Sequence, residues 1–343
     1  MALRIPTSHL DPSGFDTNSN TTKTFADMTG GDGASSFLGV VKACDDFPYG
    51  PAANSYYQLY LPDDDQPHGY MLPEIVQKMP WTHEFSVSHD HPRSVQVLDS
   101  SKGKNTAAAI NAAFQDVVNI CIERDLFHVI CARHSEPFAI AGARYGSPVY
   151  VERFAASLFG ITTRGAHLVA HTKTPDGMKL WIQRRSAHLY TYPNMLDSAV
   201  AGGVKSGVSP LDTIVQEADE EASLSKDFVR QNAKSKGVLS HMGLTGKGFP
   251  GEQGLVTPDY IYIYEIELPA DVKPRPHDDE VDCFYCMTID EVKKALLAGE
   301  FKADTGAVIV DFFIRHSIIT PENEENFVEI NMRLRRWLPF RTG

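Results

Sequence analysis

Residues 200–224 read VAGGVKSGVSPLDTIVQEADEEASL, and QEADEE within them places four carboxylates in six positions after a glycine-bearing loop. The segment has the grammar of a helix start. Ser209 can cap, Pro210 suits a first turn, and Asp212 stands three residues after the cap, as in a capping box. Leu211, Ile214, Val215, Ala218 and Ala222 then recur at the spacing of one apolar face. Glu217, Glu220 and Glu221 fall at i, i+3 and i+4, which predicts that they share the opposite side. Three acids within two turns repel one another, and no basic residue stands at a neighbouring helical position. A solvated acidic face is one reading; clustered oxygens for a hard divalent cation such as Mg²⁺ are the other. The loop weighs toward the second. Gly202 and Gly203 let backbone approach a ligand closely. A glycine loop feeding a carboxylate-lined helix suits a metal-bridged diphosphate, with the cation polarising a phosphoryl oxygen.

Around this segment the pattern is mixed α/β. FGITTRGAHLVAHT and MKLWIQRRS, separated by the turn signal TPDG, read as paired strands, and TPDYIYIYEIEL and VDCFYCM as two more. IDEVKKALLAG, TGAVIVDFFIRHSI and PENEENFVEINMRLRRW read as closing helices. Upstream, LPEIVQKM is a short helix, with Pro73 in its first turn. SSKGKNTAAAINAAFQDVVNICIERDL holds a longer one whose buried face is Ile110, Phe114, Val117, Val118 and Cys121. HVICAR and SPVYVERF are short β-like runs. Residues 1–36, rich in Ser, Thr, Asn, Gly and Asp, read as a flexible lead-in. The organisation expected is a flexible 1–36, an α+β domain over 37–150 and a mixed α/β domain over 151–343.

Composition narrows the function classes. A net charge of −12 argues against a phosphate-backbone binder, so no nucleic-acid partner is expected. No window approaches the roughly 18 apolar residues of a membrane span, and MALRIPTSHLDPSGFD has no apolar core of a secretory signal. The cysteines are Cys44, Cys121, Cys131, Cys283 and Cys286, an odd and sparse set. A disulfide framework is therefore not expected, and a reducing, cytoplasmic setting is. Cys283 and Cys286 have CxxC spacing but lie on a strand, where residues three apart face opposite ways. They read as packed cysteines rather than a metal or redox pair. His89-Asp-His91 and the His167, His171 pair each lack a third ligand nearby in sequence. No GxSxG, P-loop or GxGxxG supports acyl transfer, nucleotide kinase or dinucleotide chemistry. The C-terminal NMRLRRWLPFR reads as amphipathic packing rather than a membrane or RNA contact. The oligomeric state is left open.

With Gly202, Glu217, Glu220 and Glu221 in register, the segment resembles the Nudix box, G-x5-E-x7-R-E-U-x-E-E-x-G-U with U aliphatic. The resemblance continues through GAHLVAH, WIQRRS, TYPNMLDSAVAGG, YIYEIELPADVKPRPHDDEV, FKAD and DFFIRH. From about Phe37 onward the chain is similar to the fungal and plant Nudix proteins related to thiamine pyrophosphokinase, which carry an N-terminal extension. The resemblance implies a Nudix α/β/α sandwich with a smaller N-terminal α+β domain. It implies Mg²⁺-dependent cleavage of a small organic diphosphate to a monophosphate, with Mn²⁺ as a substitute and a thiamine-diphosphate-like compound as the substrate. Glu217, Glu220 and Glu221, with Gly202, match the metal site, and Glu217 and Glu220 also carry the catalysis. Glu280 matches a downstream acid that is an extra ligand or general base in some relatives; a solvated residue at a strand start is the alternative. Gly203, Tyr192, Arg184 and Arg185 fall on the substrate side. One of the two arginines should face the pocket, unless both are surface residues.

The match also departs from the pattern. Val208 stands where the first box Glu belongs, Gln216 replaces the Arg, and Ser223 replaces the Gly. Gln brings no charge, so the acids lose an internal counter-ion. RRSAHLYTYPNMLDS has Ala187 and Leu189 where relatives carry lysines, Asn194 for a turn glycine and Ser198 for Asn. FKADTGAV stands for the relatives' FKPNCALV. These departures motivate two alternatives. One is an enzyme of specialised metabolism acting on a more apolar diphosphate, such as a prenyl diphosphate. The other is a Nudix fold with weakened or non-hydrolytic activity.

Overall fold

The computed structural model describes residues 36–130, 136–246 and 249–341. The expected lead-in therefore lies outside the described residues except for Ser36, and so does Cys131. After the short helix α1 (Leu38–Lys42) come four strands, β1 (Tyr57–Tyr60), β2 (Gly69–Met71), β3 (Phe85–Ser88) and β4 (Ser94–Val97). They form a sheet in the order β2-β1-β4-β3, with β1 and β4 parallel. The helices α2 (Pro73–Lys78) and α3 (Thr106–Glu123) pack their apolar sides into this sheet's core. Asn105 caps α3 by accepting the Ala108 N–H, and Ile110, Phe114, Val117, Val118 and Cys121 are all buried, as the spacing predicted. This core continues past residue 150, through Phe159 and Ile161, and takes in Leu255.

HVICAR does not begin as a strand. His128–Ile130 is a 3-10 turn whose His128 and Val129 N–H groups donate to the Glu252 carboxylate, so no neighbouring strand is needed; residues 131–133 lie outside the described residues. SPVYVERF does supply a strand, β6 (Tyr150–Glu152), antiparallel to β5 (Pro137–Ala139).

A seven-stranded sheet follows. Its elements in chain order are β7 (Thr163–Thr174), β8 (Gly177–Arg185), β9 (Leu196–Asp197), β10 (Val200–Gly203), β11 (Lys234–Leu244), β12 (Val256–Glu267) and β13 (Val281–Thr288). The path is β11-β12-β7-β8-β13, with β12 parallel to β7 and β8 antiparallel to it. The helices α4 (Pro210–Ala222) and α5 (Lys226–Asn232) lie between β10 and β11 in the chain, and α6 (Ile289–Leu297), α7 (Ala303–Arg315) and α8 (Phe327–Leu334) follow β13. Side-chain alternation along β7 assigns the two faces. Ala166, Leu168 and Ala170 pack with Ile214, Val215 and Ala218 of α4, whereas His167 and His171 face Asp304 and Phe312 of α7. The result is the α/β/α sandwich that the resemblance implied.

Three local readings need correction. The last helix begins only at Phe327, because Asn323 and Glu324 fold the preceding stretch into turns around Thr320. Cys286 is exposed and Cys283 half-buried, since β13 ends the sheet and pairs only with β8; these are not packed cysteines. The capping box at α4 is half made: Ser209 accepts the Asp212 N–H at 3.0 Å, while the Asp212 carboxylate takes the Ser209 hydroxyl and Arg230 instead. The full reciprocal box occurs at Thr288 and Glu291, at the start of α6.

One irregularity of the sheet positions everything that follows. The second half of β7, Ala170–Thr174, pairs with β8, but Gly165–Leu168 pairs with β10. Strand β8 meanwhile runs on to pair with β9 at Gln183 and Arg184. The sheet thus forks, and a cavity opens at the fork.

Candidate active site

This cavity has a volume of about 480 Å³ and draws its walls from β7, β10, β12, α4, the start of α7 and the N-terminal β5–β6 hairpin. Helix α4 presents its acids at three depths. Glu221 is buried and accepts the Ala201 N–H at 3.2 Å, Glu217 is half-buried, and Glu220 is exposed and accepts from Gln216 Nε2 at 3.0 Å. The three therefore do not share the solvent side. At about 100° per residue, Glu221 stands beside Ala218 and Ala222, which are buried against the sheet, so its carboxylate is carried inward with them.

Gly202 makes room for this arrangement. A Cβ there would lie 2.5 Å from Cγ and 2.7 Å from Oε1 of Glu217. Burial, then Glu220 and Glu280, push the Glu217 carboxyl up to about 7, and burial with Glu217 and Asp197 holds Glu221 well above the usual carboxylate range. Glu280 lines the same cavity and fixes the end of β8 through its carbonyl, which accepts the Ser186 N–H.

The predicted substrate side divides. Arg185 and Tyr192 line the cavity, and Arg184 does not. Arg184 turns to the Tyr285 hydroxyl and the Asn194 carbonyl, whereas Arg185 is engaged by the Thr191 and Tyr192 carbonyls and by Asp197. Arg185 thus holds the loop that carries Tyr192. Gly203 also lines the cavity. Ala187 and Leu189 do not, although Tyr190 of the same segment does. Asn194 and Tyr192 sit at φ of 61° and 51°, where Asn is among the residues that best replace glycine.

Several lining residues were not singled out in the sequence. Arg164 projects from the start of β7, and among the described residues its guanidinium has no ion pair or hydrogen-bond partner. Lys205 comes from the box loop, and Glu136 and Arg153 from the N-terminal hairpin region. At the other end lie Asp259, Lys302 and Asp304, beside His167, which the sequence offered only as half of a pair without a third ligand. Burial would lower Lys302 and raise Asp304, but each outweighs that effect on the other and both stay charged. Burial pulls His167 down, and its Nδ1 meets the Ser198 hydroxyl at 2.9 Å. Asp259 is pushed up to about 7 by burial and then by Asp304, and its Oδ1 has no hydrogen-bond partner.

Seven carboxylates line the cavity (Glu136, Glu217, Glu220, Glu221, Asp259, Glu280 and Asp304) against five cations (Arg153, Arg164, Arg185, Lys205 and Lys302). An anionic ligand entering this excess of acids calls for added positive charge, and oxygen donors without counter-ions suit a hard divalent cation. No three His, Cys, Asp or Glu side chains among the described residues stand close enough to hold a metal ion. The donor chemistry fits such a cation: Glu221 has one N–H partner, and Glu217 is crowded by acids.

The NUDIX-domain family profile matches residues 164–307. An uncharacterised protein of Saccharomyces cerevisiae is 38% identical over 200 residues, covering 57% of this chain and 58% of that protein. Nudix hydrolase 20 and Nudix hydrolase 24 of Arabidopsis thaliana, both described as chloroplastic, are each 35% identical over 195 residues. Those matches cover 56% of this chain and 50% and 51% of the plant proteins. The chain thus spans little more than half the length of the curated relatives it matches. No helix among the described residues is long and apolar enough to cross a membrane. The box register, the forked sheet and the profile match coincide: residues 164–307 of this chain are a Nudix domain.

Proposed function

We propose that this chain is a divalent-metal-dependent hydrolase of small organic diphosphates. The observation that carries the reading is the meeting of Glu217, Glu220, Glu221 and Glu280 with Arg164 and Lys205 in one cavity beside Gly202. Glu217, Glu220 and Glu221, with the Gly202 backbone, would hold Mg²⁺ or Mn²⁺. When bound, the cation would polarise a phosphoryl oxygen and offset the charge of the diphosphate. The chain's own groups do the rest. Arg164 and Lys205 receive phosphate oxygens as charge-assisted donors. Glu280, beside the acids of α4, takes the proton of the attacking water as the bridging P–O bond breaks and a monophosphate leaves. Arg185 keeps the Tyr192 loop in place without spending its donors on the ligand.

For the organic part we favour a nitrogenous, thiamine-diphosphate-like compound over a prenyl chain. Phe138, Phe154 and Phe249 offer apolar wall to either. Asp259, however, keeps a carboxylate oxygen without a hydrogen-bond partner, which an N–H donor on the ligand can relieve and a prenyl chain cannot. The compartment we infer from the sparse, odd set of cysteines is a reducing one, the cytoplasm. The test is a panel of thiamine, nucleoside and prenyl diphosphates incubated with the protein and Mg²⁺, with and without chelator. Release of monophosphate or phosphate that disappears with chelator, and falls at least 100-fold in Glu217→Gln, is the expected result. No release from any member would overturn the hydrolase and leave a binding role for the fold.

A further inference from the structure

Lys205 and Arg153 meet on a carboxylate that neither the box loop nor α4 supplies. Glu136 receives Lys205 Nζ on one oxygen and an Arg153 guanidinium nitrogen on the other, each at 3.0 Å. Arg153 is fixed from behind. Its backbone N–H donates to the Glu136 carbonyl at 3.0 Å, and its guanidinium lies over the Phe138 ring, 5.6 Å from the centroid. Phe138 and Arg153 in turn abut the glycine loop, since a Cβ on Gly203 would stand 3.3 Å from Phe138 Cζ and 3.8 Å from Arg153 Cζ. Glu136, Phe138 and Arg153 all line the cavity, and all precede the matched residues 164–307.

The charge pattern is that of an occupied anion site. The two cations are about half exposed, at 48% and 52%, while the carboxylate between them is 23% exposed. Two cations taking one oxygen each from a single anion is how a phosphate is gripped. Ion pairs this exposed are weak, and Glu136 stands near enough to Glu217 to add to its crowding by acids. An incoming phosphate therefore displaces Glu136 at small cost and gains both cations.

We propose that Arg153 and Lys205 form a clamp for the outer phosphate of the substrate, with Glu136 holding the clamp in the ligand-free chain and giving way when substrate binds. The proposal rests on the diphosphatase reading and adds that the segment before the Nudix domain supplies part of the active site. Glu136 is here a positioning residue, and its substitution should act in the direction opposite to that of Arg153.

The experiment compares Arg153→Ala, Arg153→Lys and Glu136→Gln with the unsubstituted protein, full length and with Mg²⁺. Steady-state kinetics are read for the best diphosphate, and calorimetric titration for inorganic diphosphate. Arg153→Ala should raise KM and the inorganic diphosphate Kd about tenfold with kcat within about twofold. Arg153→Lys should recover part of that loss, and Glu136→Gln should lower both constants about threefold. A Glu136→Gln protein that binds more weakly, or that loses kcat, makes Glu136 a structural or catalytic group and overturns the clamp. An Arg153→Ala protein with unchanged constants does the same. If the unsubstituted protein hydrolyses nothing, the diphosphatase reading fails while the titrations still decide the clamp.

Discussion

Replacing Gly202 with alanine separates the stability of this fold from the chemistry of its cavity. The new Cβ would lie 2.5 Å from Cγ, 2.7 Å from Oε1 and 2.8 Å from Cδ of Glu217. The backbone itself admits alanine, since Gly202 is not among the residues with positive φ and pairs regularly with Ala166 in the β10–β7 ladder. All the strain therefore falls on one side chain, which must leave its rotamer at about 0.5–1.5 kcal/mol. Loss of glycine freedom in the unfolded chain returns about 0.4–1 kcal/mol. The net change is about 1 kcal/mol or less, a shift of about 2 °C in Tm for a chain of this size. The carboxylate, however, is driven from its place at the metal site, and an ångström-scale displacement of a catalytic group costs about 100-fold in rate. Differential scanning fluorimetry and Mg²⁺-dependent phosphate release, run on the same preparation, read the two effects. Gly203→Ala is the comparator, because its Cβ would come no closer to a neighbour than 3.3 Å, at Phe138 Cζ. A Gly202→Ala protein that keeps its rate within threefold, or one that unfolds, refutes the placement of Glu217.

Ser223, the residue in the box-glycine position, caps α4 at φ 53°. Ser223→Gly should stabilise the chain by about 0.5–1 kcal/mol, less what is lost with the exposed hydroxyl bond to the Arg275 carbonyl, and chemical denaturation measures it. Glu265 is buried, which would raise its carboxyl, but Arg315 outweighs burial and holds it below the usual value. Its contribution is thus present above the unfolded pKa of ~4.3 and lost as pH falls through the folded value. Glu265→Gln should cost about 2 kcal/mol at pH 7, because Arg315 keeps Asp311, and the difference should close below about pH 4; a gap constant with pH would contradict this. Arg185→Ala frees the Thr191 and Tyr192 carbonyls and leaves Asp197 without its cation, so both KM and unfolding should worsen, the latter by about 2–3 kcal/mol. Unchanged unfolding would remove Arg185 from its loop-holding role.

Periodicity carried the frame of the molecule. The buried face of α3, the long strands β7, β8 and β12, and the apolar face of α4 all follow from spacing, because each depends on local geometry and a single buried side. The failures share a cause too. Glu221 reads as an outward acid until the sheet is placed, since 40° of helix rotation decides between solvent and the β10 backbone. Arg164 and Lys205 carry no signal beyond being single basic residues in TTRGA and GVKSG. Their meaning comes from β7 changing partners at Ala170, a feature of register between distant segments. Glu136 and Arg153 are further out of reach, because they arrive at the cavity from a hairpin that no box pattern includes. His167 and His171 do lie on one face, as residues four apart on a strand must, and both face α7, at Asp304 and Phe312.

The missing box arginine is answered by charge from elsewhere in the chain. Gln216 supplies Glu220 with a hydrogen bond but no charge. The positive charge comes instead from Lys205 on the loop, drawn first by Glu136 and then by Glu217 and Glu220. A lysine is a mobile point charge and lacks the planar fork that fixes a carboxylate in two directions. The geometry of the acids is therefore set by backbone: the Ala201 N–H for Glu221, and the absent Cβ of Gly202 for Glu217. Positions set by backbone do not depend on the arginine, and burial, with Glu220 and Glu280 beside it, holds Glu217 up to about 7 against the pull of Lys205. What Gln216 changes is thus the charge balance that a divalent cation meets on entering, not the placement of the oxygens that would receive it.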